Sequence, residues 1–476
     1  MSVLQFGTLK MIRRFVASHT GLGVLCLVVV LSVASRALVA DEANQEIVQM
    51  VIEALRSDDP AMQTGAIALV RDIPGEEVTK ALAKELPNLP APGRVQLLSA
   101  LADRGDGTAL PAVIATTEAK EVSVRIAALK ALGRLGDASS VAMLAQRAAQ
   151  STGDEQKAAR DGLYRLRGSA VDERILAEVP SGEAAVKVEL IRSIAERNIT
   201  KGVQVLLKSA QDPDRKVRAE SLKVLKAVAD PDALPALVDL LLNLRSDSDR
   251  VEAERSVAAV AHKIEDRNRQ AASVLAVLPS VKDVKNRCSL LRVLGKIGDN
   301  TGLAVLRESL TSEDPKLRDA AIRALSDWPT AEPVGDLLKV AESSNNQVHR
   351  ILSLRGLVRL LGLDSSRPAK ETVAMYNKAM SLAPSVAEKR RVLSGLAGMK
   401  SSDALMMAAK YMEDEALRPE AELAAVRIAG HVRESNPQVA EMILKKIIKS
   451  SKNETLRQQA QELMKQTDAS MPEANK

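Results

Sequence analysis

Aromatic residues are almost absent from this chain of 476 residues, because Phe, Trp and Tyr together make up only 1% of it. Both phenylalanines, Phe6 and Phe15, lie near the amino terminus, and the only tryptophan is Trp328. A β-sandwich core draws on aromatic and β-branched residues, and surfaces that stack nucleobases or sugar rings need aromatic faces. A core of Ala, Leu, Val and Ile instead favours closely packed helices. The composition therefore predicts an all-α protein.

A strong excess of one charge is also missing once the first forty residues are set aside. The whole chain has a formal net charge of +6. Residues 1–40 contain four basic residues and no acidic one, so the rest of the chain holds 63 basic residues against 61 acidic ones. A balanced surface is typical of a solvated protein and not of the electrostatic footprint of a nucleic-acid binder. We therefore expect no nucleic-acid partner.

Residues that commonly carry catalysis or bind metals are scarce. The chain has four histidines and two cysteines. His262, His349 and His431 are more than eighty residues apart, and the sequence has no phosphate-binding glycine loop, nucleophile elbow or Cys-x-x-Cys motif. Cys288 falls in a helical pattern where small apolar residues belong, which favours a buried and inert thiol. We expect no catalytic residue, no metal site and no cofactor.

The amino terminus has the pattern of a secretory signal. Arg13 and Arg14 precede an apolar run over Gly21–Ala34, and the small residue Ala40 stands before Asp41. A positive region, an apolar segment and a small residue at the cut are the parts of such a signal. We expect cleavage between Ala40 and Asp41 and export to the periplasm or outside the cell. The alternative is an uncleaved anchor, although the run is shorter than the roughly 20 residues that a spanning helix needs.

One sequence motif occurs twelve times along the chain. The stretch SVRIAALKALGRLGD, Ser123 to Asp137, returns as KVRAESLKVLKAVAD from Lys216 and in ten looser copies, most of them about 31 residues apart. With Val124 counted as position zero, a large aliphatic residue stands at position plus eight of every copy, which predicts the buried face of a helix. These residues are Val70, Leu101, Leu132, Leu166, Ile194, Leu225, Val260, Leu294, Leu325, Leu357, Leu396 and Ile428.

Each copy is followed by a break and a second apolar segment. After Leu135 comes GDASSVAMLAQRA, where Gly ends one helix and Asp can cap the next. Pro111, Pro235 and Pro333 stand at or near the first turn of a second helix. One helix pair cannot bury its own apolar faces, but stacked pairs can. The repeats therefore predict a right-handed α-solenoid, a superhelix of about twelve helix pairs with an extended concave surface.

The sequence motif V-R-x-x-A-L-x-A-L-G, followed by Gly-Asp, resembles the short HEAT-like repeats, the class also found in phycobilisome lyases. The resemblance covers about residues 45–435. Ala324–Ser343 and Glu388–Asp414 look like the HEAT arrays of exported bacterial proteins, some joined to a 3-keto-disaccharide hydrolase-like domain. No counterpart of that catalytic domain is expected here, so its activity is not carried over to this chain. Together with the signal and the repeats, this predicts a non-catalytic scaffold of the cell envelope. The alternative is an accessory subunit or a lyase-like protein that helps to form an enzyme or cofactor site.

Four segments are expected along the chain. Residues 1–40 form the signal peptide, 41–438 the repeat array, 439–467 one or two capping helices and 468–476 a disordered tail. The basic segment Ala440–Gln466 fits a polar cap of the array, or alternatively a contact with an anionic membrane surface. The partner that we expect for the concave surface is a protein or peptide of unknown identity.

Two features provide candidate site residues. Trp328, in SDWPTAEP, is predicted to pack at the corner between two helices, and the alternative is an exposed interface anchor. The position after position zero is basic in eight repeats. We expect these cations to pair with acids and loop carbonyls of adjacent repeats, and not to bind an anionic ligand. We call them the basic ladder: Arg94, Arg125, Lys187, Arg218, Arg287, Arg318, Arg350 and Lys389.

Overall fold

The computed structural model describes residues 47–57 and 59–470. These residues form α-helices and short 3-10 turns, with no β-strand in the described part, so the all-α prediction is confirmed. The predicted cleavage site at Ala40 and Asp41 and most of the predicted tail lie outside the described residues. Within the described part, no helix combines the length and the apolar character that crossing a bilayer requires.

The chain divides into two compact units, and the division falls near Val205 and Glu220. The helices are α1 (47–56), α2 (Pro60–Asp72), α3 (Glu76–Ala83), α4 (Ala91–Arg104), α5 (Leu110–Thr116), α6 (Val122–Leu135), α7 (Val141–Gln150), α8 (Gly153–Arg165), α9 (Ser169–Glu178), α10 (Ala184–Glu196), α11 (Val203–Ser209), α12 (Arg215–Val228), α13 (Leu234–Asn243), α14 (Asp247–Ala261), α15 (Ala272–Val277), α16 (Val284–Ile297), α17 (Asn300–Ser309), α18 (Pro315–Ser326), α19 (Val334–Ser343), α20 (Gln347–Leu361), α21 (Ala369–Leu382), α22 (Val386–Leu396), α23 (Ser402–Lys410), α24 (Arg418–Val432), α25 (Pro437–Ser450) and α26 (Glu454–Ser470).

In both units the repeated sequence motif forms the first helix of each pair. In the first unit, α2, α4, α6 and α8 pack against one another in that order. In the second unit, the succession α14, α16, α18, α20, α22, α24 and α26 does the same. Second helices such as α21, α23 and α25 also pack in succession and form another layer. Each unit is therefore a stack of helix pairs, in which a repeat contacts the repeats beside it.

The core lies where the repeat pattern predicts it. All twelve aliphatic residues at position plus eight are at most 2% exposed. In the best-preserved copy, Val124, Ala128, Leu129 and Leu132 are fully buried. These positions follow the 3.6-residue period of one helix face, and that prediction is confirmed.

Small residues allow the first helices to approach closely. A Cβ atom added at Gly133 of α6 would lie 2.5 Å from the Cα atom of Gly162 in α8, so no other residue fits there without moving a helix. Gly298 ends α16 with a positive φ of 72°, and a Cβ atom there would lie 2.1 Å from Cγ of Pro329. Close contact between repeats therefore depends on these glycines.

Caps and prolines mark the starts of the second helices. The carboxylate of Asp137 accepts a hydrogen bond from the Ser139 N–H at 2.8 Å, just before α7. Asp299 accepts one from the Gly302 N–H at 2.8 Å at the start of α17. Pro111 and Pro235 are the second residues of α5 and α13, where a missing N–H has no helical partner to lose.

Candidate functional site: the basic ladder and the inter-repeat grooves

Arg125 shows what a ladder cation does in this fold. From the first turn of α6, its guanidinium donates to the backbone oxygens of Ala119 and Lys120, at 3.0 and 2.9 Å. It also donates to both carboxylate oxygens of Glu155 on α8, at 2.9 and 2.7 Å. This pairing lowers the pKa of Glu155 below its usual range and raises the pKa of Arg125. The side chain thus ties the loop before its helix to the next repeat.

The contact with the preceding loop recurs along the chain, and we call it a carbonyl clamp. In a carbonyl clamp, a side-chain N–H donates to a backbone oxygen five or six residues earlier. Arg218 binds the oxygens of residues 212 and 213 at 2.9 and 2.8 Å. Arg318 binds those of residues 312 and 313, the latter at 2.9 Å. Arg94 and Arg350 bind single oxygens, at 2.8 and 3.2 Å.

Three members of the basic ladder do not form a carbonyl clamp. Lys187 pairs with the carboxylate of Asp212 at 2.8 Å. The side chains of Arg287 and Lys389 have no hydrogen bond or ion pair with any residue that the structure describes. The position therefore has no uniform role, and five of its eight cations are clamps.

The sequence reasoning missed a further clamp in each of the four repeats that lack a cation at this position, and another by Arg457 on α26. Gln63 and Gln156 donate to the oxygens of residues 57 and 151, at 2.7 and 3.0 Å. Arg250 and Arg418 donate to those of residues 244 and 412, at 2.6 and 2.8 Å. Gln156, Arg250 and Arg418 each stand one turn before the expected position. A strict period of 31 would have found Gln156, because positions 63, 94, 125, 156, 187 and 218 are all 31 apart.

A row of buried carboxylates also links the repeats. Glu189 accepts from Arg160 of the preceding repeat at 2.6 and 2.7 Å, and its side chain is 5% exposed. Glu254 pairs with Arg292 at 2.7 Å and is 1% exposed on its side chain. A buried charge without a partner is costly, so these acids explain why arginines recur on the first helices.

Trp328 is fully buried directly after α18. Its backbone oxygen accepts a hydrogen bond from the guanidinium of Arg359, and Pro329 packs beside Gly298. The side chain therefore fills the corner between helices, as one of the two sequence interpretations holds. The alternative, an exposed interface anchor, is wrong, because the indole presents no surface to a partner.

The histidines and the described cysteine lie in separate environments. Nε2 of His262 is 2.9 Å from the backbone oxygen of Ile297. Nε2 of His349 is 3.6 Å from a carboxylate oxygen of Asp319. The thiol of Cys288 contacts the backbone oxygen of Lys316 at 3.5 Å, and burial raises its pKa. Among the described residues, no three side chains of the metal-ligating types come together.

The exposed face of the second helices in the second unit combines apolar and paired charged residues. Met406 on α23 and Met442 on α25 are 48% and 52% exposed. Beside them, Lys446 pairs with Glu413 across the boundary between two repeats. Exposed methionines among ion pairs make an adaptable surface, because the flexible thioether can fit several shapes. We call this surface the second-helix face.

A groove of about 900 Å³ lies among α16, α18 and α20, and we call it the α18 groove. Its lining contains four cations and a single carboxylate, Asp319. Pro315 and Asn346, where α18 and α20 begin, also line it, so two helix N-termini add positive potential. The four cations are Lys285, Arg292, Lys316 and Arg318.

The first unit has a groove at the corresponding place in the repeat, but its charge is different. This α6 groove, of about 640 Å³, is lined by two arginines and three carboxylates. Arg125 is neutralised there by Glu155, which stands 31 residues after Val124. In the α18 groove the corresponding residue, 32 after Leu317, is His349. Arg318 therefore lacks the carboxylate that its counterpart has.

Comparison with known proteins supports the fold. No curated protein sequence matches the chain. Among solved structures, the chain is similar to Kap121p bound to Pho4p, with TM-score 0.52, 12% identity and coverage of 97% of this chain and 57% of that one. It is also similar to the karyopherin Kap121p bound to the SUMO protease Ulp1p (TM-score 0.51, 13% identity, 91% and 54%). Kap121p bound to Nup53p gives TM-score 0.52 at 13% identity, covering 91% and 54%. The chain spans a little over half the length of these proteins.

The repeats themselves match a family model. HEAT repeats are recognised over residues 80–163, 173–261 and 265–358, which together exceed half of the chain. The matched segments run from α3 through α20, where the clamps and the buried aliphatic positions recur. The chain therefore belongs to the HEAT-repeat family.

Proposed function

We propose that this protein is a non-catalytic scaffold that binds a protein or peptide partner on its second-helix face. The observation that carries the proposal is the exposure of Met406 and Met442 on neighbouring helices, among charges that are already paired. Most ladder cations are engaged with the chain's own carbonyls and acids, which argues against a continuous basic track for nucleic acid. The similar karyopherin structures are complexes with Ulp1p, Pho4p and Nup53p, and we extend protein binding from them to this chain.

Photo-crosslinking tests this proposal. A photoreactive amino acid at position 406 or 442 should form an adduct with the same protein from native extract. Leu69, on the first helix α2, is 48% exposed, as Met406 is, and serves as the control position. The proposal fails if position 69 gives the same adduct, or if positions 406 and 442 give no reproducible one.

We propose further that the scaffold acts in the cell envelope. The support is the run of Arg13, Arg14, the apolar segment and Ala40 at the amino terminus. Amino-terminal sequencing of protein from its native source should begin near Asp41. A full-length amino terminus recovered from a membrane fraction would favour the uncleaved anchor instead.

A further inference from the structure

The α18 groove carries positive charge that the chain itself does not neutralise. Two of its four cations have carboxylate partners outside the lining, since Lys285 lies 2.6 Å from Asp247 and Arg292 lies 2.7 Å from Glu254. Lys316 is exposed, and its side chain has no partner among the described residues. Lys316 and Arg318 are therefore the two lining cations whose charges could still be uncompensated.

Arg318 is bound, but only to uncharged groups. Its guanidinium donates to the backbone oxygens of Ser312 and Glu313, and a carbonyl satisfies an N–H without cancelling the charge. Two carboxylates lie near the groove, and neither forms an ion pair with Lys316 or Arg318. Asp319 binds Arg323 at 2.7 Å. Asp314 accepts the backbone N–H of Lys316 at 2.8 Å as the cap of α18, and it is not part of the groove lining.

The α6 groove shows that this charge is a property of one repeat and not of the fold. There the residue one period later is Glu155, which forms two hydrogen bonds with Arg125. In the α18 groove that place belongs to His349, which is 7% exposed and contacts Asp319. The repeat thus retains the clamp and lacks its counter-ion, in a groove of about 900 Å³.

We infer that the α18 groove binds an acidic segment of a protein partner, whose carboxylates take the place of the missing counter-ion. Carboxylates suit an arginine beside a lysine, because both can donate charge-assisted hydrogen bonds. Asn345 on the groove wall supplies a further polar contact for a peptide backbone. The inference rests on the proposed scaffold function in one respect only, namely that the acidic segment belongs to a protein.

The test uses a fluorescein-labelled decaglutamate peptide as probe, with a Gly-Ser peptide of equal length as the neutral reference. Wild-type protein should bind decaglutamate more tightly than the reference, with an affinity that falls as salt rises. Lys316→Glu should raise the Kd at least about tenfold, because it reverses one of the two free charges. His349→Glu, which installs the counter-ion of the α6 groove, should raise it similarly.

Lys216→Glu is the matched control. Lys216 precedes the clamp Arg218 as Lys316 precedes Arg318, it is exposed, and its replacement changes the net charge equally. Its Kd should stay within about twofold of wild type, because surface charges away from a site change binding little. His349 is buried, so His349→Glu can prevent folding. In that case the Kd of Lys316→Glu alone tests the inference.

Three results would overturn the inference: no preference for decaglutamate, an equal loss in Lys216→Glu, or tighter binding of single-stranded DNA than of the peptide. The crosslinked partner separates this inference from the scaffold proposal. A partner that still crosslinks at Met406 and binds Lys316→Glu with unchanged affinity refutes the groove and leaves the scaffold. Decaglutamate binding without any crosslinked partner refutes the scaffold only.

Discussion

At the scale of single residues, the same repeat position offers a matched pair of arginines. Arg125 forms a clamp and an ion pair, whereas Arg287 is exposed and has no side-chain partner among the described residues. We expect Arg125→Met, which keeps the apolar stem but removes every N–H donor, to lower the free energy of unfolding of its repeat by about 1–3 kcal/mol, because charged hydrogen bonds at a half-buried site are lost. Arg287→Met should change it by less than about 0.5 kcal/mol. Thermal melting and hydrogen exchange over residues 117–125 measure both, and equal effects would contradict a structural clamp.

The partner of Arg125 gives a prediction about pH. The guanidinium of Arg125 lowers the pKa of Glu155 in the folded protein, while an unfolded Glu titrates near 4.3. A lowered pKa stabilises the fold above the unfolded value, and this contribution disappears as the pH falls through the folded value. Glu155→Gln should therefore lose less stability than wild type between about pH 5 and pH 3. Melting temperatures across that range test this, and parallel curves for the two proteins would disprove it.

At the scale of helices, two glycines predict opposite effects of one substitution. Gly133→Ala should destabilise the first unit by about 1–3 kcal/mol, because the added methyl group meets the backbone of Gly162 and forces α6 from α8. Gly65→Ala, at an exposed position of α2, meets nothing within 4 Å and should stabilise its helix by about 0.5–1 kcal/mol. Urea unfolding of each variant measures the difference. Destabilisation by both would mean that helix contact is not the cause.

The sequence predicts the helices well and their register less well. Apolar periodicity alone predicts that Leu132 and its counterparts are buried, and they are. At α8 the apolar pattern puts position zero on Ala158, eight residues before Leu166. The clamp instead shows that Gln156 holds the position after position zero. A shift of three residues keeps side chains on the same helix face, so an aliphatic pattern cannot detect it. Only the polar donor fixes the register.

The charge of the grooves was beyond the sequence for a different reason. Whether the charge of Arg318 is compensated depends on the residue at position 349 in the next repeat. It also depends on which groups the guanidinium meets, and here these are carbonyls whose direction only the folded loop sets. Trp328 was similarly open to two interpretations, because a lone aromatic residue beside a proline has no periodic neighbour to indicate its burial. Both the charge of the groove and the burial of Trp328 are set by contacts between repeats, which the sequence does not show.

At the scale of the whole molecule, stability should be local. A repeat contacts the repeats beside it, so each loss should be confined to its neighbourhood. Leu294→Ala removes a fully buried side chain from α16 and should cost roughly 2–5 kcal/mol. Hydrogen exchange should accelerate in α14, α16 and α18, while α2 to α6 keep their wild-type rates. Uniform acceleration along the chain would indicate one cooperative domain instead of stacked repeats.

The short reach of the carbonyl clamp has a consequence for folding on the ribosome. A clamp joins Arg125 to the backbone of residues 119 and 120, so it closes a loop of only five or six residues. Closing so short a loop costs little chain entropy, whereas the ion pair with Glu155 must wait for thirty more residues to be synthesised. Each emerging repeat can thus set the direction of its first helix before its neighbour exists. The repeats then stack on one another in the order in which they are synthesised.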